Sequence, residues 1–505
     1  MVLASINLAG SPPYITAKTL REEPQHSLLQ GLVYIQLEEY FQYASVQPSQ
    51  LQRRPPKQFN TYYTLSLKET SRNTSNHSEE TNMVDVWLPY GKTEICARIP
   101  TRNFLGTIQP KEKPPAPDPY AEIEKALNNP IATKPLNQIA QPNNTVAIVV
   151  DDITRATPSH LMLPPLLNQL NKGGVKDENI TIIFACGSHR PVTPEEMKKL
   201  IGEEILNRIK AVNHDHKAKD LVFLGKTKAF GTKVYVNKIF AEADVKILTG
   251  DVGLHYYAGY GGGRKSVLPG ISGAETIQHN HANLLHPKAR TGILEENPVH
   301  QDMVEAAKLA KVDFILNIVT NSKQEIVQAF AGDMEQVFNE GVRIVDEMYK
   351  IPIEQRADVV IVSSGGYPLD IDLYQAYKGV DNALNAVKRN GVIVLVAECP
   401  EGHGNEVFHE WMVKFKTLKD MEKEIKKRFV LGGHKSYYLL KTLQRAKIIL
   451  VSVMPDYQAV NVFNLKTAAA VNDALRDAFN LAGKNAKVWA MPHGNLTLPV
   501  MKTTE

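Results

Sequence analysis

The chain has 505 residues, and its 58 Lys+Arg against 54 Asp+Glu leave a net charge of +4. So small a charge, with no stretch joining clustered Lys/Arg to aromatic residues, argues against a nucleic-acid partner. Three cysteines, Cys96, Cys186 and Cys399, form no CxxC pair. This argues against a disulfide framework or structural zinc site and fits a reducing compartment.

Residues 1–82 read as a weakly structured extension. Glu22–Gln25 and Gln47–Lys57 are polar and contain proline, Ser71–Glu80 is a Ser/Thr/Asn/Glu tract, and Leu28–Tyr43 between them has the pattern of a short amphipathic helix. No basic stretch followed by an apolar core marks a secretory signal. No apolar run approaches the roughly 20 residues needed to cross a bilayer. The expectation is a cytoplasmic protein without a membrane partner, whose globular part opens at Met83, with residues 1–82 dispensable or Met83 the true start.

From about residue 145, strand and helix signals alternate. Val146–Val150 is an apolar run ending in Asp151-Asp152. A helix pattern follows between Thr157-Pro158 and Gly173-Gly174. Ile180–Cys186, Ala243–Thr249 and Phe314–Val319 are further short apolar runs, as a sheet covered on both faces requires. A second cycle starts with Ala357–Val362, continues through a helix pattern over about Asp370–Lys388, and adds strands at Gly391–Ala397, Lys447–Val453 and Lys487–Ala490. The expected fold is therefore two doubly wound α/β domains, residues 83–345 and 356–489, with Arg343–Arg356 as the crossover. In such sheets functional groups gather beyond the strand carboxyl ends, which places the active site in the cleft between the domains.

Several motifs lie at those ends. In Asp151-Asp152-Ile153-Thr154-Arg155, Arg155 offers a planar fork to a carboxylate or phosphate, with Asp152 orienting it; the plain alternative is an acidic turn capping a helix. Gly187-Ser188-His189-Arg190 follows the next strand, and His189 there suits a general acid/base. Gly250–Gly270 contains seven glycines with Tyr256, Tyr257 and Tyr260 among them. Within it Gly261, Gly262 and Gly263 precede Arg264-Lys265, the pattern of a phosphate-binding nest with a cationic wall. The Walker spacing is absent, as is HExxH. His279 and His281 lie on a predicted helix after Gly273. At i, i+2 they face different ways, and spacing alone does not choose between them. Tyr374, Gln375 and Lys378 lie on the first long helix of the second domain, with Tyr374 and Lys378 on one face at i, i+4.

Taken together these motifs resemble the nickel-dependent lactate racemase family, over the run from Leu88-Pro89-Tyr90-Gly91 to Met491-Pro492-His493-Gly494. The anchors are the Asp-Asp-Ile-Thr-Arg motif, Gly187–Arg190, and His255 followed by the glycine loop, Lys265 and His281. The resemblance implies two α/β domains whose C-terminal tail, about residues 490–505, returns to the first. It implies a nickel-pincer nucleotide (the nickel complex of pyridinium-3,5-bisthiocarboxylic acid mononucleotide), attached covalently through Lys265, with His281 as the protein's nickel ligand. It implies that maturation enzymes are partners. It makes His189 and His255 the acid/base pair, and gives the carboxylate of a 2-hydroxy acid to Arg155 and Lys378. Asp152, Tyr374 and Gln375 complete the polar shell, and the glycine loop approaches the cofactor phosphate. The activity implied is racemisation of a 2-hydroxy acid, lactate first, by hydride removal to a 2-keto acid and return on the other face. A family aromatic, Trp in lactate racemase itself, falls near Tyr437-Tyr438, so another 2-hydroxy acid is an alternative. A non-catalytic phosphate or nucleotide binder and a cofactor-independent two-histidine racemase are the others.

Overall fold

The structure, a computed structural model, describes residues 82–155 and 157–502. The expectations for residues 1–81, including the helix at Leu28–Tyr43, lie outside the described residues. Contacts divide the chain between His77 and Ser78, and the architecture below is that of the second unit.

Two six-stranded sheets organise it. The first runs in the order Ile326–Gly332, Phe314–Thr320, Val245–Asp251, Val146–Asp151, Ile180–Ala185, Lys210–Asn213. All neighbours are parallel except the outermost pair, Ile326–Gly332 with Phe314–Thr320. The continuous apolar run at Val146–Val150 is explained by burial on both faces. Ala147 and Val149 enter one hydrophobic core, while Val146, Ile148 and Val150 enter another. The second sheet runs Lys466–Thr467, Lys447–Val451, Val387–Val396, Ala357–Ser363, Val488–Met491, Phe104–Thr107, all parallel. It follows the same rule, with Val360 and Val362 facing one core and Val359 and Ile361 another.

The expected boundaries are corrected in four places. Phe104–Thr107 lies at the edge of the second sheet rather than in the first domain. The hairpin Met83–Tyr90/Thr93–Pro100 goes with it. Its alternating Val86, Leu88, Ala97 and Ile99 make one apolar face, which joins helix Val471–Ala482 in covering Val359, Ile361, Val392 and Val394. Arg343 lies inside a helix, Met334–Tyr349, so the crossover begins only at the strand Lys350–Ile353, which pairs in parallel with Leu498–Met501 near the C-terminus. The helix expected over Asp370–Lys388 spans Leu373–Ala383. Asp372 caps it by accepting from the Gln375 amide at 2.6 Å, and Val387 is already in register with Ala357 in the sheet.

In the first sheet the chain goes from Val146–Asp151 outward to Lys210–Asn213, then returns to the other side through Val245–Asp251. The order reverses between Val146–Asp151 and Val245–Asp251, and their carboxyl ends open the crevice where doubly wound sheets bind ligands. Among the described residues no helix is long and apolar enough to cross a membrane.

Candidate active site

Four side chains are tied together immediately after the strand Val146–Asp151. Asp152 is 3% exposed, and its Oδ2 lies 2.6 Å from His189 Nδ1. Its Oδ1 accepts from the Thr154 amide at 3.1 Å and the Thr154 hydroxyl at 2.6 Å. Arg155 in turn donates to that hydroxyl and to the Thr154 carbonyl, each at 3.1 Å. Burial alone would raise the Asp152 carboxyl. The hydrogen bond and charge of His189, then Thr154 and Arg155, outweigh it and hold the pKa below the ordinary value. Asp152 is thus an acceptor, the proton of His189 sits on Nδ1, and Nε2 is left with its lone pair. Gly187 delivers His189 from the strand end. It takes a positive φ of 51° there, while its amide donates to the Gly270 carbonyl at 2.9 Å.

His255 has the opposite tautomer. It lies in the two-residue ladder Leu254–His255/Gly259–Tyr260, and its Nδ1 accepts from the Ala258 amide at 3.3 Å, which puts the proton of the neutral ring on Nε2. Burial first, then the charges of Lys265, Arg155 and Arg264, hold its pKa well below the usual imidazole value.

Tyr257 collects three of the named groups. Its ring meets the His255 ring edge-on with centroids 4.6 Å apart and the His281 ring at 5.3 Å, and Lys265 Nζ lies 5.6 Å from its centroid. Lys265 makes no ion pair or side-chain hydrogen bond among the described residues. Desolvation, then repulsion from Arg155 and Arg264, pushes its ammonium well below the usual lysine value, which favours the free amine. His281 is buried on helix Ala274–Ala282, with Nδ1 3.1 Å from Asn280 Oδ1. Asn280 is itself fixed by donating to Val299 O at 3.1 Å and Asp302 Oδ2 at 2.9 Å. Nδ1 therefore carries the proton, and Nε2 is a lone-pair donor with a braced ring, the arrangement a metal-ligating histidine needs. Burial keeps this imidazole neutral. His279 faces the other way, exposed, with Nδ1 2.7 Å from Thr232 Oγ1.

The glycine loop is corrected. The amides of Gly261 and Gly263 already donate within the protein, to Gly253 O at 2.6 Å and Asn317 Oδ1 at 3.1 Å. Arg264 is no outer wall. It is 1% exposed, donates to Ala258 O at 2.9 Å and Gly262 O at 3.2 Å, and lies 4.3 Å over the Phe338 ring, bracing the loop from behind. A Cβ at Gly262 would meet Asp251 O at 2.9 Å, and one at Gly263 would meet Phe338 at 2.8 Å, with positive φ at both. These glycines answer to close internal packing, which sequence reading attributed to a ligand.

The second lobe closes the crevice through the helices Leu373–Ala383 and Gly433–Leu443. Lys378 makes no ion pair among the described residues, and burial, then the charge of Arg155, lowers its pKa to about 8. Tyr374 is shielded and its phenol raised by burial. Gln375 lies half-buried on the same turn, its carbonyl accepting from Asn495 at 3.4 Å. Tyr256 crosses from the first lobe. It stacks on His255 at 5.0 Å, hydrogen-bonds His434 Nε2 through its hydroxyl, and meets Tyr438 edge-on at 5.7 Å. Tyr437 turns away to Glu422 at 3.3 Å, so of the two tyrosines it is Tyr438 that reaches the site.

His434 and Lys435 went unread in the sequence. Lys435 is 2% exposed, donates to Tyr374 O at 2.8 Å, and lies 4.8 to 5.3 Å from the ring centres of Tyr374, Tyr256 and Tyr377. Burial, then the charge of Lys378, brings its pKa to about 7. Arg155, Lys378 and Lys435 thus lie at the crevice without an ion-pair partner among the described residues, a field suited to a small anion.

The fold is a two-lobed α/β one, and the comparisons give its class, a racemase and hence an isomerase. Sequence profiles of the lactate racemase N-terminal domain and C-terminal domain match residues 90–292 and 353–498. The lactate racemase of Thermoanaerobacterium thermosaccharolyticum is 36% identical over 420 residues, 82% of this chain and 98% of that protein. The lactate racemase of Lactiplantibacillus plantarum is 35% identical over 421 residues, 82% of this chain and 99% of that protein. The solved lactate racemase apoprotein from T. thermosaccharolyticum superposes with a TM-score of 0.77 at 33% identity, covering 83% of this chain and all of that one. A Thermotoga maritima protein, 19% identical with a TM-score of 0.57 over 77% of this chain and all of that one, shares the fold. The chain belongs to the lactate racemase family.

Proposed function

We propose that the chain interconverts L- and D-lactate in the cytoplasm, carrying a nickel-pincer nucleotide tethered to Lys265 and ligated through His281. The observation that supports this most is the group around Tyr257: an unpaired lysine of lowered pKa and a neutral, braced histidine near one ring, with His255 beside them. A neutral amine is what thioamide formation requires, and imidazole with sulfur donors suits nickel(II). When bound, the cofactor supplies a pyridinium ring that accepts and returns hydride.

The protein's own residues do the rest. Arg155 and Lys378 hold the substrate carboxylate, with Tyr374 and Gln375 beside it. His189 Nε2 takes the hydroxyl proton, and Asp152 stabilises the imidazolium that forms. His255 serves the opposite face. Burial first, then the cations around it, lower its pKa, and an incoming carboxylate offsets only the second of these. Lys435 backs the carboxylate site by fixing Tyr374 through its carbonyl.

Intact-protein and peptide mass spectrometry with nickel analysis tests the assignment on protein coexpressed with the maturation enzymes. The expected result is an added mass on Lys265, with nickel. In deuterated water racemised lactate keeps its own Cα hydrogen. Unmodified Lys265 removes the cofactor reading, and deuterium at Cα means deprotonation by side chains instead.

The lysine gives a pH prediction. Lys378 is charged below about pH 8 and loses its proton above it. KM for lactate is therefore expected to rise by about tenfold from pH 7 to 9, the worth of one charge-assisted hydrogen bond. Lys378→Arg abolishes that rise, and a KM flat with pH in the wild type assigns the carboxylate to Arg155 alone. Tyr438 favours a second reading, another 2-hydroxy acid. It stands where the lactate enzyme is expected to have Trp, with its hydroxyl committed to Leu284 O at 3.2 Å. A panel of chiral 2-hydroxy acids decides between them.

A further inference from the structure

Away from the crevice, the loop after strand Val387–Val396 and the helix Glu406–Lys414 bring His403, Glu406 and His409 together. One donor atom from each lies within 4.8 Å of the other two. Glu406 and His409 are at i, i+3 on the first helical turn and share a face. His403 stands before the turn, its Nε2 3.9 Å from Glu406 Oε1 and its ring centre 4.8 Å from that of His409.

The loop is built to hold His403 there. Gly402 and Gly404 flank it at φ 65° and 77°, a conformation side chains resist, and a Cβ at Gly404 would collide with the Asp372 carboxylate. Asn405 caps the helix by accepting from the Phe408 amide at 2.9 Å. His403 Nδ1 is buried without a hydrogen-bond partner among the described residues. A surface Glu–His pair has no need of a glycine-framed second imidazole with its Nε2 turned to the same carboxylate.

We propose that His403, Glu406 and His409 form a binding site for a divalent borderline metal ion such as zinc, separate from the centre at Lys265 and His281. Two imidazoles and one carboxylate with further positions left to water is a donor set for zinc, cobalt or nickel rather than calcium or magnesium. The consequence reaches the crevice. The loop bearing His403 also clamps the start of the helix that carries Tyr374, Gln375 and Lys378: Leu373 N donates to Gly402 O at 2.9 Å, Glu401 N to Ile371 O at 3.0 Å, and Cys399 N to Asp370 O at 2.8 Å. An ion joining the loop to helix Glu406–Lys414 stiffens that clamp.

The test is zinc titration of the full chain, followed by calorimetry and by metal content after desalting. Wild type, His403→Ala, His409→Ala and His281→Ala are compared, with circular dichroism in the absence of metal confirming that each is folded. The expected result is an equivalent of zinc bound by wild type and by His281→Ala and lost in both His403→Ala and His409→Ala. Zinc also raises the thermal midpoint of wild type, and that rise is abolished in the same two variants. If a variant unfolds, Glu406→Gln on the exposed donor takes its place, with a loss of affinity of about tenfold or more expected. Zinc binding that is absent, or unchanged in the folded variants, overturns the site.

Discussion

His281→Ala is expected to leave the protein without nickel and without racemase activity, while His189→Ala retains nickel and loses turnover by about 10²–10⁴-fold, the usual worth of a general acid/base. The two histidines differ in what holds them. His281 is buried, its pKa held down chiefly by desolvation, and its Nδ1–H is spent on Asn280, which is anchored to Val299 and Asp302. A ring so fixed contributes one lone pair and no proton. His189 is 26% exposed by side chain and bonded to an ionised carboxylate, an arrangement that moves protons. Nickel content by elemental analysis and turnover by chiral assay separate the two. Nickel retained at the wild-type level in His281→Ala would sink the ligand assignment. A supporting variant, Asn280→Leu, leaves Nε2 in place but frees the ring, and is expected to weaken nickel retention by about tenfold or more.

How much of this was legible in the sequence follows from which forces are local. The short apolar runs at Val146–Val150, Ile180–Cys186 and Ala357–Val362 mark strands because burial on both faces leaves no polar alternation, and groups at their ends fall into the crevice by topology. That reasoning drew attention to Asp152, Arg155 and His189, which hydrogen bonds through Thr154 join. It failed where a residue's direction depends on tertiary packing. Arg264 reads as a cation beside a nest of glycines, yet its guanidinium turns inward to Ala258, Gly262 and Phe338. The hairpin Met83–Pro100 reads as the opening of the first domain, yet the apolar face it presents is matched by the second sheet. Lys435 and His434 lie in a turn that reads as ordinary amphipathic helix. Only the approach of Tyr256 from a segment 178 residues earlier makes them part of the site. A lysine with helix on both sides and apolar neighbours at i+3 and i+4 was the available signal, and taken alone it is weak.

Asp152→Asn is expected to lower kcat by about a thousandfold or more while leaving nickel and the Lys265 modification intact. The reason lies in the hydrogen bonds around this side chain. Thr154 donates twice to Oδ1, from its amide at 3.1 Å and its hydroxyl at 2.6 Å, and the amide can only donate. An asparagine must therefore keep its carbonyl oxygen toward Thr154 and turn its amide nitrogen toward His189. That nitrogen only donates, so His189 Nδ1 becomes an acceptor and the ring proton moves to Nε2, the atom that has to accept the substrate's proton. The exchange is nearly isosteric and reverses the tautomer of the base. Asp152→Ala removes the orienting partner without imposing the wrong tautomer, so it is expected to be no worse than Asp152→Asn, an order that a role in packing alone would not produce. The same chain of bonds runs from Arg155 through Thr154 to Asp152 and His189, so the carboxylate-binding group and the base are set by one network. An Asp152→Asn enzyme within tenfold of wild-type kcat would mean that His189 is not the base that this geometry makes it.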